Sequence, residues 1–478
     1  MSEAQQDAPL IRRGDTIEIE LEKAAFEGRS MARIGNMVVF VDGAVPGDRV
    51  EAFVYRKKKQ FAEARVEKLL VRSPQRVDAA CRHFGVCGGC KWQHLDYAQQ
   101  LFWKREHVID AFERIGGFDA PQVNPTLPAV EPFWYRNKME FSFGESRWLT
   151  SDELGVVDRE AELFALGLHI PKRYDRILHV DDCRLQSPQS NAILNATREF
   201  FLARDIPAYS TRTHTGDLRN LVIREGKHSG ERMVYLVSTH RREEMMKEYA
   251  ELLRREDLAV STFVHGVTDR KSSVAIGDED IVYFGDGTIR EQLGRNSFRI
   301  SPTSFFQTNT LQAERLYALA EEAAALSSSD VVWDLYCGTG TISLFIARDV
   351  QHVVGVELNA SAIADAEKNA KDNGIENTTF HCADIVDFLG DSAPADIPAP
   401  DVIITDPPRA GMHTKVVDAI GRSGVQRLVY VSCNPATSAR DCALLREHGY
   451  RIESITPVDM FPHTYHIECV ITLRRSAD

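Results

Sequence analysis

The segment VVWDLYCGTGTISLFIA, residues 331–347, reads as an apolar strand, a glycine-rich turn and a helix, and the same rhythm continues downstream. HVVGVE (352–357) is a second strand, followed by helical sequence through ASAIADAEKNAKDNG. DVIITD (401–406) and RLVYVS (427–432) are two more, each again followed by a helical stretch. Strands that alternate with helices bury both faces of a parallel sheet. The pattern therefore predicts an α/β, doubly wound domain with its ligand site along the carboxyl ends of the strands.

The suggestive residues of this half fall at those ends. Gly338 and Gly340 follow the first strand, and Glu357 closes the second. The glycines let the backbone approach a ligand, and an acidic residue at that distance can accept both hydroxyls of a ribose. A nicotinamide cofactor would use the same geometry, but Ser343 stands where its third glycine is expected. S-adenosylmethionine, a nucleoside without a pyrophosphate, fits better. Asp406-Pro407-Pro408-Arg409 closes the third strand, the prolines stiffening a loop over the cofactor. Cys433 ends the fourth, just before Asn434-Pro435, where an inert core thiol has no reason to be.

A chain of 478 residues is too long for one core and predicts two or three domains. It contains no run of about eighteen apolar residues, and its first residues, MSEAQQDAPL, are polar and acidic, so the expectation is a cytoplasmic protein without a membrane partner. In that reducing compartment the nine cysteines are thiols or metal ligands. The net charge of −13 argues against indiscriminate coating of nucleic acid, although residues 1–76 are relatively basic and carry Arg56-Lys57-Lys58-Lys59. Between 14 and 70, short β-rich runs such as TIEIELE, MVVFV and DRVEAFVYR alternate with Gly-bearing turns, which suggests a small barrel of the oligonucleotide-binding kind. The spacing of FEG, IGN and DGAVPGDRV resembles a TRAM domain, an RNA-binding barrel.

CRHFGVCGGCKWQHLDYAQQ then places Cys81, Cys87 and Cys90 within ten residues, with Gly88-Gly89 letting the chain fold back. Three thiols so close suggest a metal site. Two residues could supply the fourth ligand. His94 would complete a zinc site, and Cys183 an all-thiolate site of the iron–sulfur kind. Residues 97–116 carry apolar positions at helical spacing and end in Gly116-Gly117. FWYRNKMEFSFG (133–144) interleaves Arg136 and Lys138 with five aromatics; it reads as an amphipathic strand with a basic outer face, or as a strip that stacks bases through rings such as Phe143.

A strand-end cysteine beside a methyl donor has a specific use. Carbon-5 of uracil is too weak a nucleophile to take a methyl from a sulfonium, but a thiolate added at carbon-6 makes carbon-5 an enolate carbon, and a base must later remove its proton. Such a target must be unpaired or flipped out of a helix. CRHFGVCGGCKWQ, YRNKMEFSF, SPTSFFQTN, DLYCGTGTISL, GVELN, DPPRAG, VSCNPATSARD and DMFPHTYHIE together resemble the RNA 5-methyluridine methyltransferases, most closely the 23S ribosomal RNA uracil-5 branch that carries a TRAM domain and an iron–sulfur cluster.

The resemblance implies a Rossmann-like class I methyltransferase domain at 291–478, a TRAM barrel at 10–72 and a central α+β iron–sulfur and RNA-binding domain at 73–290, whose helix 97–116 packs on the catalytic domain. It implies that Gln307, Tyr336, Glu357 and Asp406 contact S-adenosylmethionine, that Cys433 is the nucleophile and Glu468 the base, and that Cys81, Cys87, Cys90 and Cys183, rather than His94, hold a 4Fe–4S cluster. His463 and His466 compete with Glu468 as bases. Two departures stand out: Tyr465 where relatives usually have Gly, and Thr341 where some place Asn. Transfer RNA is the alternative substrate. An adenine amino-group methyltransferase would want an aromatic where Arg409 stands, a nicotinamide oxidoreductase does not explain SCNPAT, and an iron–sulfur scaffold without activity leaves the strand ends idle.

Overall fold

In the computed structural model, residues 11–156, 164–171, 173–272, 274–390 and 397–476 are described. Strict alternation in Met37–Asp42 and Arg49–Lys57 puts Val39, Val41, Val50, Ala52 and Val54 on one face, where they meet Ala62 and Ala64 in a fully buried core. These belong to a six-stranded sheet in the order Thr16–Glu20, Arg49–Lys57, Phe61–Val71, Met37–Asp42, Ser30–Ile34, Lys23–Ala24. Register shifts between Arg49–Lys57 and Phe61–Val71 bend that pair.

The central region is an eight-stranded mixed sheet, from Glu279–Phe284 at one edge to Arg147–Trp148 at the other. Helices Pro188–Leu202 and Glu243–Leu253 share its core, where Tyr249 packs on both Phe201 and Phe263. Strand Lys138–Gly144 contributes Met139, Phe141 and Phe143 to that core and turns Lys138, Glu140 and Ser142 the other way. Phe143 is only 4% exposed and wedged against Phe164 and Phe201, which corrects the expectation that it stacks on a base: the strand is amphipathic and its rings are inside.

The last region is a seven-stranded sheet ordered Thr378–Cys382, His352–Glu357, Val331–Leu335, Val402–Thr405, Arg427–Ser432, Glu468–Arg475, Tyr450–Val458. The first five are parallel and the last two run antiparallel to their neighbours. Strand order reverses between Val331–Leu335 and Val402–Thr405, which opens the crevice of a doubly wound sheet there. Helix Tyr97–Arg114, capped by Asp96, leaves the thiol-rich loop and lies on this sheet's helical layer, with Val108 and Phe112 in its core. Its Lys104 is fully buried against Asp459 at 2.5 Å, and Arg446 reaches the carbonyls of Gly116 and Gly117.

Candidate active site

Beyond Leu335 the chain turns sharply. Tyr336 adopts φ 63°, a left-handed conformation strained for an aromatic residue, and Gly338 and Gly340 follow at φ 54° and 78°. A Cβ on Gly340 would crowd Ala366 and Phe380 at 3.1 Å, so the turn needs glycine there for space as well as for angle. Ser343 has its own reason to be present. Its hydroxyl donates to the buried Asp334 at 2.5 Å, a carboxyl that burial pushes up to about 7.

Glu357 and Tyr336 face a cavity of about 480 Å³ that Leu358, Asp384, Ile385, His413 and Lys415 also line. Leu358 is 68% exposed and supplies an apolar wall beside the Glu357 carboxylate. Asp384, which caps the short helix Ile385–Phe388, escaped the sequence reading because the strand before it, Thr378–Cys382, is only half apolar. Around the sheet's switch point, Asp406 is pushed up to about 7 by burial and by Asp334. Gln307 sits on the loop entering helix Thr310–Ala324; its carbonyl accepts from Asn137 Nδ2 at 2.7 Å, and its side chain meets the Tyr317 phenol, which Thr341 Oγ1 also approaches at 3.1 Å. Gln307 and Asp406 thus both act on the buried Tyr317 phenol, and Tyr336 and Glu357 line the cavity.

Cys433 follows strand Arg427–Ser432 and precedes helix Pro435–Glu447, whose N-cap is Asn434. Ser432 pairs with Cys469 in antiparallel register, so one step further brings Cys433 beside Glu468, the first residue of its strand. The thiol is pushed up to about 11 by burial and by the carboxyls of Glu468 and Asp406, against the pull of Arg409. Glu468 is 6% exposed; burial first, then Asp406, holds its carboxyl well above the usual range, again opposed by Arg409. A thiol, a buried carboxyl with high proton affinity and a guanidinium therefore share one field at the crevice's end.

The two histidines are placed differently. His463 is buried, stacks on Phe133 at 4.2 Å, and donates its backbone N–H to Gln100 at 2.9 Å. Its carbonyl accepts from Lys91 and Trp92, so it anchors the thiol-rich loop. His466 is half-buried, and burial and Arg409 pull it down to about 4. An imidazole at 4 is a far weaker base than a carboxylate raised above its ordinary range. Tyr465 lies tilted against His466 at 4.3 Å and meets Phe26 of the N-terminal region edge-on at 5.2 Å. Its bulk joins the cluster of Ala24, Val45, Trp92, Leu95 and Trp103 that docks the two regions.

Cys81, Cys87, Cys90 and Cys183 are drawn into one neighbourhood from two distant stretches. The Cys90 thiol is pushed up to about 12 by burial, with Cys87, Cys183 and Cys81 adding to the effect. Gly89 N–H points at Cys87 Sγ at 3.4 Å and Gln93 Nε2 at Cys90 Sγ at 3.2 Å, donors suited to thiolates. Among the described residues, no group of three or more His, Cys, Asp or Glu stands closely enough to hold a single metal ion. His94 is buried against Phe84 at 4.8 Å and faces Arg76 and Asp48.

The seven-stranded, doubly wound sheet with this crevice has the fold of a class I methyltransferase, and the N-terminal six-stranded sheet that of a TRAM domain. Family models described as methyltransferase domain, tRNA (Uracil-5-)-methyltransferase and TRAM domain match residues 326–435, 398–476 and 12–66. An uncharacterized RNA methyltransferase of Chlorobaculum tepidum is 42% identical over 470 residues, covering 97% of each chain. One of Bacteroides thetaiotaomicron is 41% identical over 452 residues, covering 94% of this chain and 99% of its own. The crystal structure of Pyrococcus abyssi tRNA (uracil-54, C5)-methyltransferase with S-adenosyl-L-homocysteine is similar at a TM-score of 0.72 and 28% identity, covering 96% of this chain and all of that one. The chain belongs to a family of RNA methyltransferases. Among the described residues, no helix is long and apolar enough to cross a membrane.

Proposed function

We propose that this enzyme methylates carbon-5 of a uridine in 23S ribosomal RNA through a covalent adduct on Cys433. The observation that carries this reading is the register that sets Cys433 beside the buried Glu468, with Arg409 and Asp406 in the same field. The Cys433 thiolate adds to carbon-6, and the resulting enolate takes the methyl group from the sulfonium and releases S-adenosylhomocysteine. Glu468 then removes the carbon-5 proton, and the electron pair of that C–H bond restores the double bond as the thiolate leaves. Burial suits Glu468 to that step, since it raises the carboxylate's proton affinity. Gln307, Tyr336, Glu357 and Asp406 hold S-adenosylmethionine along the crevice. Transfer RNA is the second reading, favoured by the substrate named for the Pyrococcus abyssi protein.

The three units we assign are 10–72, 73–290 and 291–478, with helix 97–116 serving the last. Cys81, Cys87, Cys90 and Cys183 would hold a 4Fe–4S cluster, supported by their convergence and by N–H groups aimed at two of the sulfurs.

The decisive experiment separates the two catalytic residues by what accumulates. Glu468→Gln should transfer methyl once and stall as a denaturation-resistant protein–RNA complex, and Cys433→Ala should form none. Normal turnover by Glu468→Gln, with trapping by His466→Ala instead, would move the base to the histidine. Sequencing the trapped RNA decides between ribosomal and transfer RNA.

A further inference from the structure

Arg409 rides on a turn outside the sheet, and what fixes that turn is a buried carboxylate that no step of the reaction uses. Within the turn, Gly411 N–H bonds to the Pro408 carbonyl at 2.7 Å. The remaining fastenings come from helix Pro435–Glu447, which begins just after Cys433. Arg409's carbonyl accepts from Asn434 Nδ2 at 3.0 Å. Arg440 donates to the carbonyls of Ala410 at 3.2 Å and Met412 at 3.0 Å. Asp441 Oδ2 accepts from Met412 N–H and from the Tyr430 hydroxyl, both at 2.8 Å, and its Oδ1 holds Arg440 Nε at 2.8 Å. Asp441 is fully buried. The fit leaves no slack: a Cβ on Gly411, at φ 77°, would stand 2.7 Å from Arg440 and from Asp441.

We propose that Asp441 is a positioning residue of the methyl-transfer reaction, acting from one buried carboxylate to set the Arg409 guanidinium against the Cys433–Glu468 pair. Asp441 ties three elements together: strand Arg427–Ser432 through Tyr430, the turn through Met412, and the helix after the nucleophile through Arg440. The inference rests on the proposed role of Cys433 for its chemical meaning, but the geometry stands without it. The charged groups facing the thiol are Glu468 on the adjoining strand, Asp406 at the neighbouring strand end and Arg409 on the turn. If the turn relaxes, the two carboxyls stay and the cation withdraws. The thiol then becomes harder to ionise.

The test is the pH profile of Cys433 alkylation by iodoacetamide, read on the Cys433 peptide by mass spectrometry in the full chain without RNA. Asp441→Asn should slow alkylation near pH 8 about tenfold, as a rise of one pH unit in the profile would. Arg409→Gln should do the same, and the double variant should be no slower than either, because both remove one interaction. Arg440→Gln, which loosens the turn from outside the core, should shift the profile in the same direction and serves if Asp441→Asn does not fold. An Asp441→Asn protein that melts earlier but keeps the parent's alkylation profile would make Asp441 a packing residue only and overturn the proposal, as would effects that add in the double variant. Loss of methyl transfer with an unchanged profile would count against this proposal and leave the covalent mechanism standing.

Discussion

The strand-end crevice and the thiol-rich loop both gather reactive side chains from far along the chain, but by different means. In the crevice a parallel sheet does the gathering: Asp334, Glu357, Asp406 and Cys433 lie at or near the ends of adjacent strands, and the backbone ladder fixes their spacing whatever is bound. Residues 80–94 contain no helix or strand. They are held by turns, by the Lys91 and Trp92 N–H groups on the His463 carbonyl, and by Gln93 on Cys81 and Cys90. A site built on a ladder keeps its shape when one side chain is removed, whereas a site built on a loop depends on each of its contacts.

The largest expected effect tests the ladder side. Cys433→Ala should lower methyl transfer by about four orders of magnitude or more while the melting temperature moves little, since a half-buried loop-end thiol carries chemistry and hardly any packing. The counterpart in the loop, Cys87→Ser, should lose iron and sulfide from anaerobically purified protein, and activity and thermal stability with them. If Cys87→Ser kept its full melting temperature, the contrast between the two regions would be wrong.

Next in size is the joint between them. Lys104 and Asp459 are both fully buried, and Tyr97 also bonds Asp459 at 2.9 Å. Lys104→Met leaves the carboxylate without its cation and should cost about 3–5 kcal/mol of unfolding free energy. Lys104→Met with Asp459→Leu should recover much of that loss in denaturant titrations. A double variant no better than the single would locate the cost in packing.

A smaller effect sharpens the electrostatics of the crevice. Asp334 and Asp406 are raised from an ordinary value near 3.8 to about 7, so the folded protein binds more protons than the unfolded chain between those values, and its stability falls as pH rises through that window. S-adenosylmethionine is a cation and favours the ionised carboxylates. Its affinity should therefore rise about tenfold from pH 6 to pH 8, as read by calorimetry, and Asp406→Asn should flatten the dependence. The smallest effect belongs to the barrel: changing Lys57, Lys58 and Lys59 to Gln should reduce the salt dependence of RNA binding by a slope of about 2. Arg56 is already engaged by Glu63 at 3.2 Å, so its removal should matter less.

Much of this arrangement was legible in the sequence. Period-two apolar runs, glycine turns and strand–helix alternation specify a small β domain and a doubly wound sheet, because local periodicity decides which face of each element is buried. The same pattern puts Glu357, Asp406 and Cys433 at strand ends. Other features needed the tertiary structure. The sequence allows Phe143 to stack on a base, and the packing of Phe164 and Phe201 shows that it faces inward. Ser343 looked like a missing glycine until Asp334, nine residues away, came within 2.5 Å. The register that sets Cys433 beside Glu468 and the clamp from Asp441 to the Arg409 turn join segments that local sequence does not connect. Periodicity is a property of neighbours in the chain; proton affinity and side-chain distance are properties of neighbours in space, and folding alone brings those together.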